Sequence, residues 1–264
     1  MQKAAYIAHF IYGKQMNIQR KIVKVIIAAV AIFIVSVLVI MFAFFPPFAY
    51  FDGEFNSTRD TEQLIIDVNP SNWAMYYLQF FRNLKDLHLS QPREQDLKYI
   101  PDTPTLTRLA FTFNEIDDMS AVRAFHNAEY LHFLESHLNF ADFSSDSISD
   151  LSIWSSYIKN FDNIGQFPNL ERLELFNCSI SNSDEYSLKP MTGQTDWLID
   201  DSSPLAGLDS VKTLVIERIT VTDISGILDM ESLEELQTYS SSFSAEDITA
   251  LRDSGINVIL KDEQ

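Results

Sequence analysis

Five histidines, one cysteine and acidic pairs such as Asp117-Asp118 and Asp200-Asp201 are the side chains here that could do metal or acid–base chemistry. The histidines are His9, His88, His126, His132 and His137. Asp117-Asp118 and Asp200-Asp201 would suit calcium or a pair of glycosidase carboxylates. Calcium, however, needs a clustered oxygen loop of the D-x-D-x-D-G kind, and none is present. No spacing sets two carboxylates up for glycoside hydrolysis. H-E-x-x-H, G-x-S-x-G, P-loop and G-x-G-x-x-G motifs are all absent. Cys178 has no partner for a disulfide and reads as a small buried residue. Residue types and spacing therefore predict no catalytic group, no metal and no cofactor.

A second set of residues suits binding. Tyr130, Leu134, Trp154 and Phe176 are bulky and apolar, and Arg108 and Arg172 lie near them in register. Exposed aromatic side chains beside arginines are what interface hot spots are made of. They can act together only if the chain carries them onto one surface, so the elements that position them come next.

Those elements are repeats. Leu87, Leu109, Leu131, Leu151, Leu173, Leu214, Leu236 and Val258 form one column, with steps of 22, 22, 20, 22, 41, 22 and 22 residues. Two residues further on lie Leu89, Phe111, Phe133, Ile153, Leu175, Ile216, Thr238 and Leu260. Apolar residues also recur three before and seven after the first column. L-x-L is period-two alternation, so both side chains point to one side of a short strand. No unit can bury that face alone, and neighbours must stack.

The pattern LxxLxLxxNxI, seen in LTRLAFTFNEI and LERLELFNCSI, resembles the leucine-rich repeat family and its short 22-residue, internalin-like class. The resemblance implies an α/β repeat fold, a solenoid with a parallel β-sheet on its concave face. It spans residues 83–264, with 61–82 as an irregular N-terminal cap that includes a candidate strand, QLIIDV, and a helix after Ser71. Ser244 should cap a C-terminal helix that stops at Gly255, followed by a last strand. The long step between Leu173 and Leu214 implies a loop inserted at about 182–201. The family's turn asparagine is Asn114 in one unit but Ser136, Ser156, Cys178, Ile219 and Ser241 elsewhere, so several rungs should be looser. In this register Tyr130, Leu134, Trp154 and Phe176 form an outward stripe. Trp154 and Phe176 should stack about 5 Å apart, one strand spacing. The alternative is that the inserted loop or the N-terminal segment covers them.

The N-terminal part differs in kind. Residues 1–45 hold five basic residues and no acid, whereas the rest holds 37 acids and 14 bases, a net of −23. Val25 to Phe45 is free of charge and as a helix would span roughly 32 Å, enough for a bilayer core. The basic residues before it put residues 1–24 in the cytoplasm. This predicts one transmembrane signal anchor at 25–45, a tether at 46–60, and a repeat domain outside the cytoplasm. The sequons at Asn56 and Asn177 are short enough to arise by chance. The acidic balance argues against nucleic acid as partner. The expected function is binding a protein partner at the cell envelope through the concave face. Alternatives are a protective, immunity-type binder of a basic protein and an envelope-tethered enzyme.

Overall fold

The computed structural model describes residues 21, 23–39, 48–51, 54–66, 75, 77–92, 103–112, 115–116, 126–141, 144–180 and 197–262. The chain divides into two compact units, Met1–Pro47 and Phe48–Gln264.

In the first unit, residues 23–39 are helical and Val25, Ile27, Ile32 and Phe33 are exposed. Among the described residues no helix is both long and apolar enough to cross a membrane. The remainder of the expected span, 40–45, lies outside the described residues.

The second unit is built on a parallel sheet of nine strands. In spatial order they are Gln63–Ile66, Asp86–Ser90, Arg108–Thr112, Tyr130–Leu134, Asp150–Trp154, Arg172–Phe176, Thr213–Glu217, Glu235–Tyr239 and Asn257–Lys261. Register follows the leucine columns, with Leu151, Leu173, Leu214 and Leu236 directly opposite one another. Leu173 is fully buried, as are Leu151, Leu175 and Leu214. Phe111 and Phe133 stack in the core with ring centroids 5.5 Å apart. The apolar residue seven positions on re-enters the core at Leu138, Ile158, Val221 and Phe243. Leu138 and Ile158 do so from a second parallel sheet made of Glu115–Ile116, His137–Asn139, Tyr157–Lys159 and Ser179–Ile180, and Val221 does so from a separate strand pair. Elsewhere the units connect largely through short 3-10 turns such as Phe161–Gln166 and Ser203–Gly207.

Five turns out of the long sheet repeat one feature. Gln91, Glu135, Ser155, Asn177 and Arg218, four residues after the column leucine, all have φ near +50°. A non-glycine residue there costs about 1–2 kcal/mol. A cross-rung hydrogen bond offsets it: Ser155 N donates to Phe176 O at 2.7 Å and Asn177 N to Glu217 O at 3.1 Å. The next residue is the expected asparagine position, and two of its serine replacements hold the turn. Ser136 and Ser156 are fully buried, and their hydroxyls donate to Leu134 O at 2.9 Å and Trp154 O at 2.7 Å. Ser136 N in turn donates to Ser156 Oγ at 3.0 Å. A hydroxyl that both donates and accepts replaces the amide's work.

Other departures concern the ends and the insertion. The candidate strand QLIIDV in the expected cap is present as Gln63–Ile66, which pairs with Asp86–Ser90 and buries Leu64 and Ile66 as the first rung. Its leucine lies 23 residues before Leu87, but the flanking apolar positions are missing. The expected tether contains a hairpin, Phe48–Phe51 against Glu54–Ser57. The helix expected after Ser71 falls mostly on residues outside the described ones. At the other end Ala245–Asp253 is helical, with Ser244 and Asp247 forming a capping box and Gly255 at φ +96°. Residues 182–196 lie outside the described residues, but 197–199 are no surface loop. Leu198–Ile199 pairs with Thr220–Val221, and Trp197 is buried with its ring 5.4 Å from Tyr157. The rung then closes on Ser202, whose carbonyl oxygen would lie 1.8 Å from a Cβ at Gly226. Only glycine allows that approach. Gly226 N donates to Ser202 Oγ at 2.9 Å.

Candidate functional site

Along each strand of the long sheet the two column residues face the core. The positions before, between and after them face outward. Register makes three outward rows. Arg108, Tyr130, Asp150 and Arg172 form the first. Ala110, His132, Ser152 and Glu174 form the second, and Thr112, Leu134, Trp154 and Phe176 the third.

All six candidate residues thus lie on one face of four adjacent strands. Trp154 is 38% exposed, and Tyr130, Leu134 and Phe176 are half-buried. The Trp154 and Phe176 rings are 5.3 Å apart, tilted by 41°. Strand spacing sets that distance.

His132 completes the patch. Its ring lies parallel to Tyr130 at 6.3 Å and meets Trp154 edge-on at 5.3 Å. The sequence places it in one column with His88, two rungs away on the concave surface, but does not show its ring contacts. The signal for them was the register: His132 sits one position from Tyr130's row and one rung from Trp154. Burial pushes its pKa down to about 4, against an opposing pull from Glu174. Its Nδ1 is buried with no hydrogen-bond partner. At neutral pH the ring is therefore uncharged. Burial also raises the Tyr130 phenol, and it raises the Asp150 carboxyl against the Arg172 charge.

The arginines do not stand free beside the patch. The Arg108 guanidinium lies 4.2 Å from the Tyr130 ring centroid, with Nε 3.7 Å from Asp86 Oδ2. Arg172 Nη2 donates to Glu174 Oε2 at 3.0 Å, and its Nε is 3.8 Å from Asp150 Oδ1. Glu174, also overlooked in the sequence, accepts the Trp154 indole N–H at 3.0 Å. Arg218 closes the far side, 5.4 Å from the Phe176 ring centroid.

The other chemistry-bearing residues are not assembled. His88 and His132 are two strands apart in register, with Ala110 between, and His88 Nε2 is bonded to Thr112 Oγ1. Among the described residues no group of three or more His, Cys, Asp or Glu could hold a metal. Cys178 is fully buried, and burial pushes its thiol up to about 12, which keeps it protonated and inert. Asp201 accepts the Ser203 N–H at 2.9 Å in a turn. His9 and Asp117-Asp118 lie outside the described residues. The described part of the insertion packs on the second sheet through Trp197, not on the aromatic patch.

No family model matches the sequence, and no curated protein matches it. Solved structures do. Internalin C2 of Listeria monocytogenes is 19% identical, with a TM-score of 0.51 over 76% of this chain and 80% of that one. An internalin F of the same species is 19% identical, with a TM-score of 0.39 over 79% of this chain and 70% of that one. At such identity the likeness is one of fold. Taken with the stacked strands and their buried leucine columns, it makes this chain's fold a leucine-rich repeat solenoid.

Proposed function

We propose that this chain is a single-pass membrane protein that holds its repeat domain outside the cytoplasm, where the concave face of the long sheet binds a protein partner. The observation that carries the binding role is the patch itself. An indole 38% open to solvent sits among Tyr130, Leu134 and Phe176 on a rigid sheet, with guanidinium groups at both margins. Aromatic and arginine side chains on a preorganised surface supply interface hot spots at low entropic cost. The charge-free run 25–45, preceded by five basic residues and no acid, supports the anchor and its orientation. The 22-residue steps support the internalin-like class. A second reading rests on charge: −23 after residue 45 would steer a basic protein toward this domain.

The test is Trp154→Ala in the full chain, with partner capture from native envelopes. Capture should weaken by about 30-fold, a hot-spot loss of about 2 kcal/mol, while melting stays close to wild type. Unchanged capture with unchanged melting would remove the concave face from the reading.

A further inference from the structure

The acidic groups on the face that carries the patch are held by other side chains of that face. The strands place five carboxylates outward there: Asp86, Asp150, Glu174, Glu217 and Glu235. Each has a side-chain partner within the face. Asp86 faces Arg108, and Asp150 and Glu174 share Arg172. Glu217 takes Lys261 from two strands away. Glu235 accepts from the Gln237 amide at 2.7 Å and the Asn257 amide at 3.3 Å. The cations are equally engaged, because Arg108 and Arg218 also lie against the Tyr130 and Phe176 rings. Even the Trp154 N–H is committed to Glu174. The centre of the patch therefore offers a partner π-faces and aliphatic carbon, and no open charge.

Resting on the reading that this face binds, we infer that its partner presents an uncharged segment with two or three bulky apolar side chains, and that association is nearly independent of salt despite the net charge of −18. Size fits such an occupant. Three strands about 4.8 Å apart and five residues at about 3.3 Å each give a patch on the order of 200 Å². A charged partner would have to break the pairs already made, and would regain only exchanged contacts.

The probe is a display library of random linear peptides, selected on the full chain in nonionic detergent, with each selected peptide then measured on Trp154→Ala. Leu134→Ser serves as a second variant, and both are checked by melting. Expected are peptides rich in Leu, Met, Phe or Trp with net charge near zero. Their Kd should change less than about twofold between roughly 50 mM and 500 mM NaCl, a range over which the Debye length falls to about 4 Å. Lys- and Arg-rich peptides that need Trp154 and weaken more than about tenfold over that range would overturn the partner chemistry and leave the site standing. Folded variants that retain every selected peptide would overturn the concave-face reading itself.

Discussion

His132 makes the outward face sensitive to acid, and the size of the effect can be worked out. Its ring is held between Tyr130 and Trp154, with Nδ1 buried and unpartnered. The folded pKa is about 4 against 6.5 for the free side chain, with burial as the leading cause. Because the folded value is depressed, the unfolded chain takes up the proton first. Stability is therefore full above about pH 6.5 and falls as pH drops toward 4. At pH 4.5 the unfolded imidazole is almost fully protonated and the folded one about a quarter so. At about 1.36 kcal/mol per unit, the loss between pH 7 and 4.5 is about 2.5 kcal/mol, or about 2 after allowing for solvent at the ring. Carboxylates titrate over the same range, and Asp150, whose pKa is raised, acts in the opposite direction. A His132→Phe variant isolates the histidine, since it keeps a ring between Tyr130 and Trp154 and removes the proton. Urea unfolding of the full chain in nonionic detergent, followed by far-UV circular dichroism at both pH values, gives the double difference. Wild type should lose about 2 kcal/mol more than His132→Phe. Differences below about 0.5 kcal/mol would refute the buried neutral ring. A smaller loss in wild type would mean that attraction to Glu174 outweighs desolvation.

Leu173→Ala, at the fully buried centre of the stack, should cost about 2–5 kcal/mol in urea unfolding by leaving a cavity. Gly226→Ala should cost more than about 2 kcal/mol, because its Cβ meets the Ser202 carbonyl at 1.8 Å and backbone must move. Gly255→Ala has open space but φ +96°, so only about 1 kcal/mol of backbone strain is expected in the same assay. A reporter active only in the cytoplasm, fused after Gln264, should be silent, and strong activity would overturn the proposed orientation.

Much of the scaffold was legible because packing imposes a period. Leu173 had to recur with Leu151 and Leu214 if stacked strands were to share one core, and the register has them directly opposite. The same logic failed where a rung supplies too few positions to show a period. Gln63–Ile66 lies in the expected strand QLIIDV, but Thr61 and Ser71 stand where the other rungs have apolar residues, so it did not show as a rung. Leu198–Ile199 is two residues long, and its neighbours Pro190 and Gly193 gave the segment the composition of a loop. The serine column misled for a chemical reason. A buried hydroxyl can bond the strand carbonyl two residues back and still accept from the preceding rung, as Ser156 does, so losing asparagine there did not mean losing the turn.

The outward face obeys a different rule. No core selects its residues, so no periodicity marks them, and their environment comes from other rungs. His132 is defined by Tyr130 on its own strand and by Trp154 on the next. Trp154 is defined by Glu174, 20 residues away, and Glu174 by Arg172 beside it. Once the register is known those neighbours can be read off, which is how the aromatic stripe was found. What register alone leaves out is pairing. It sets arginines beside aromatics and carboxylates without saying which contact each one makes. Here Arg172 turns to two acids and Arg108 divides itself between Asp86 and Tyr130. That division separates a face that attracts charge from one that has already spent it.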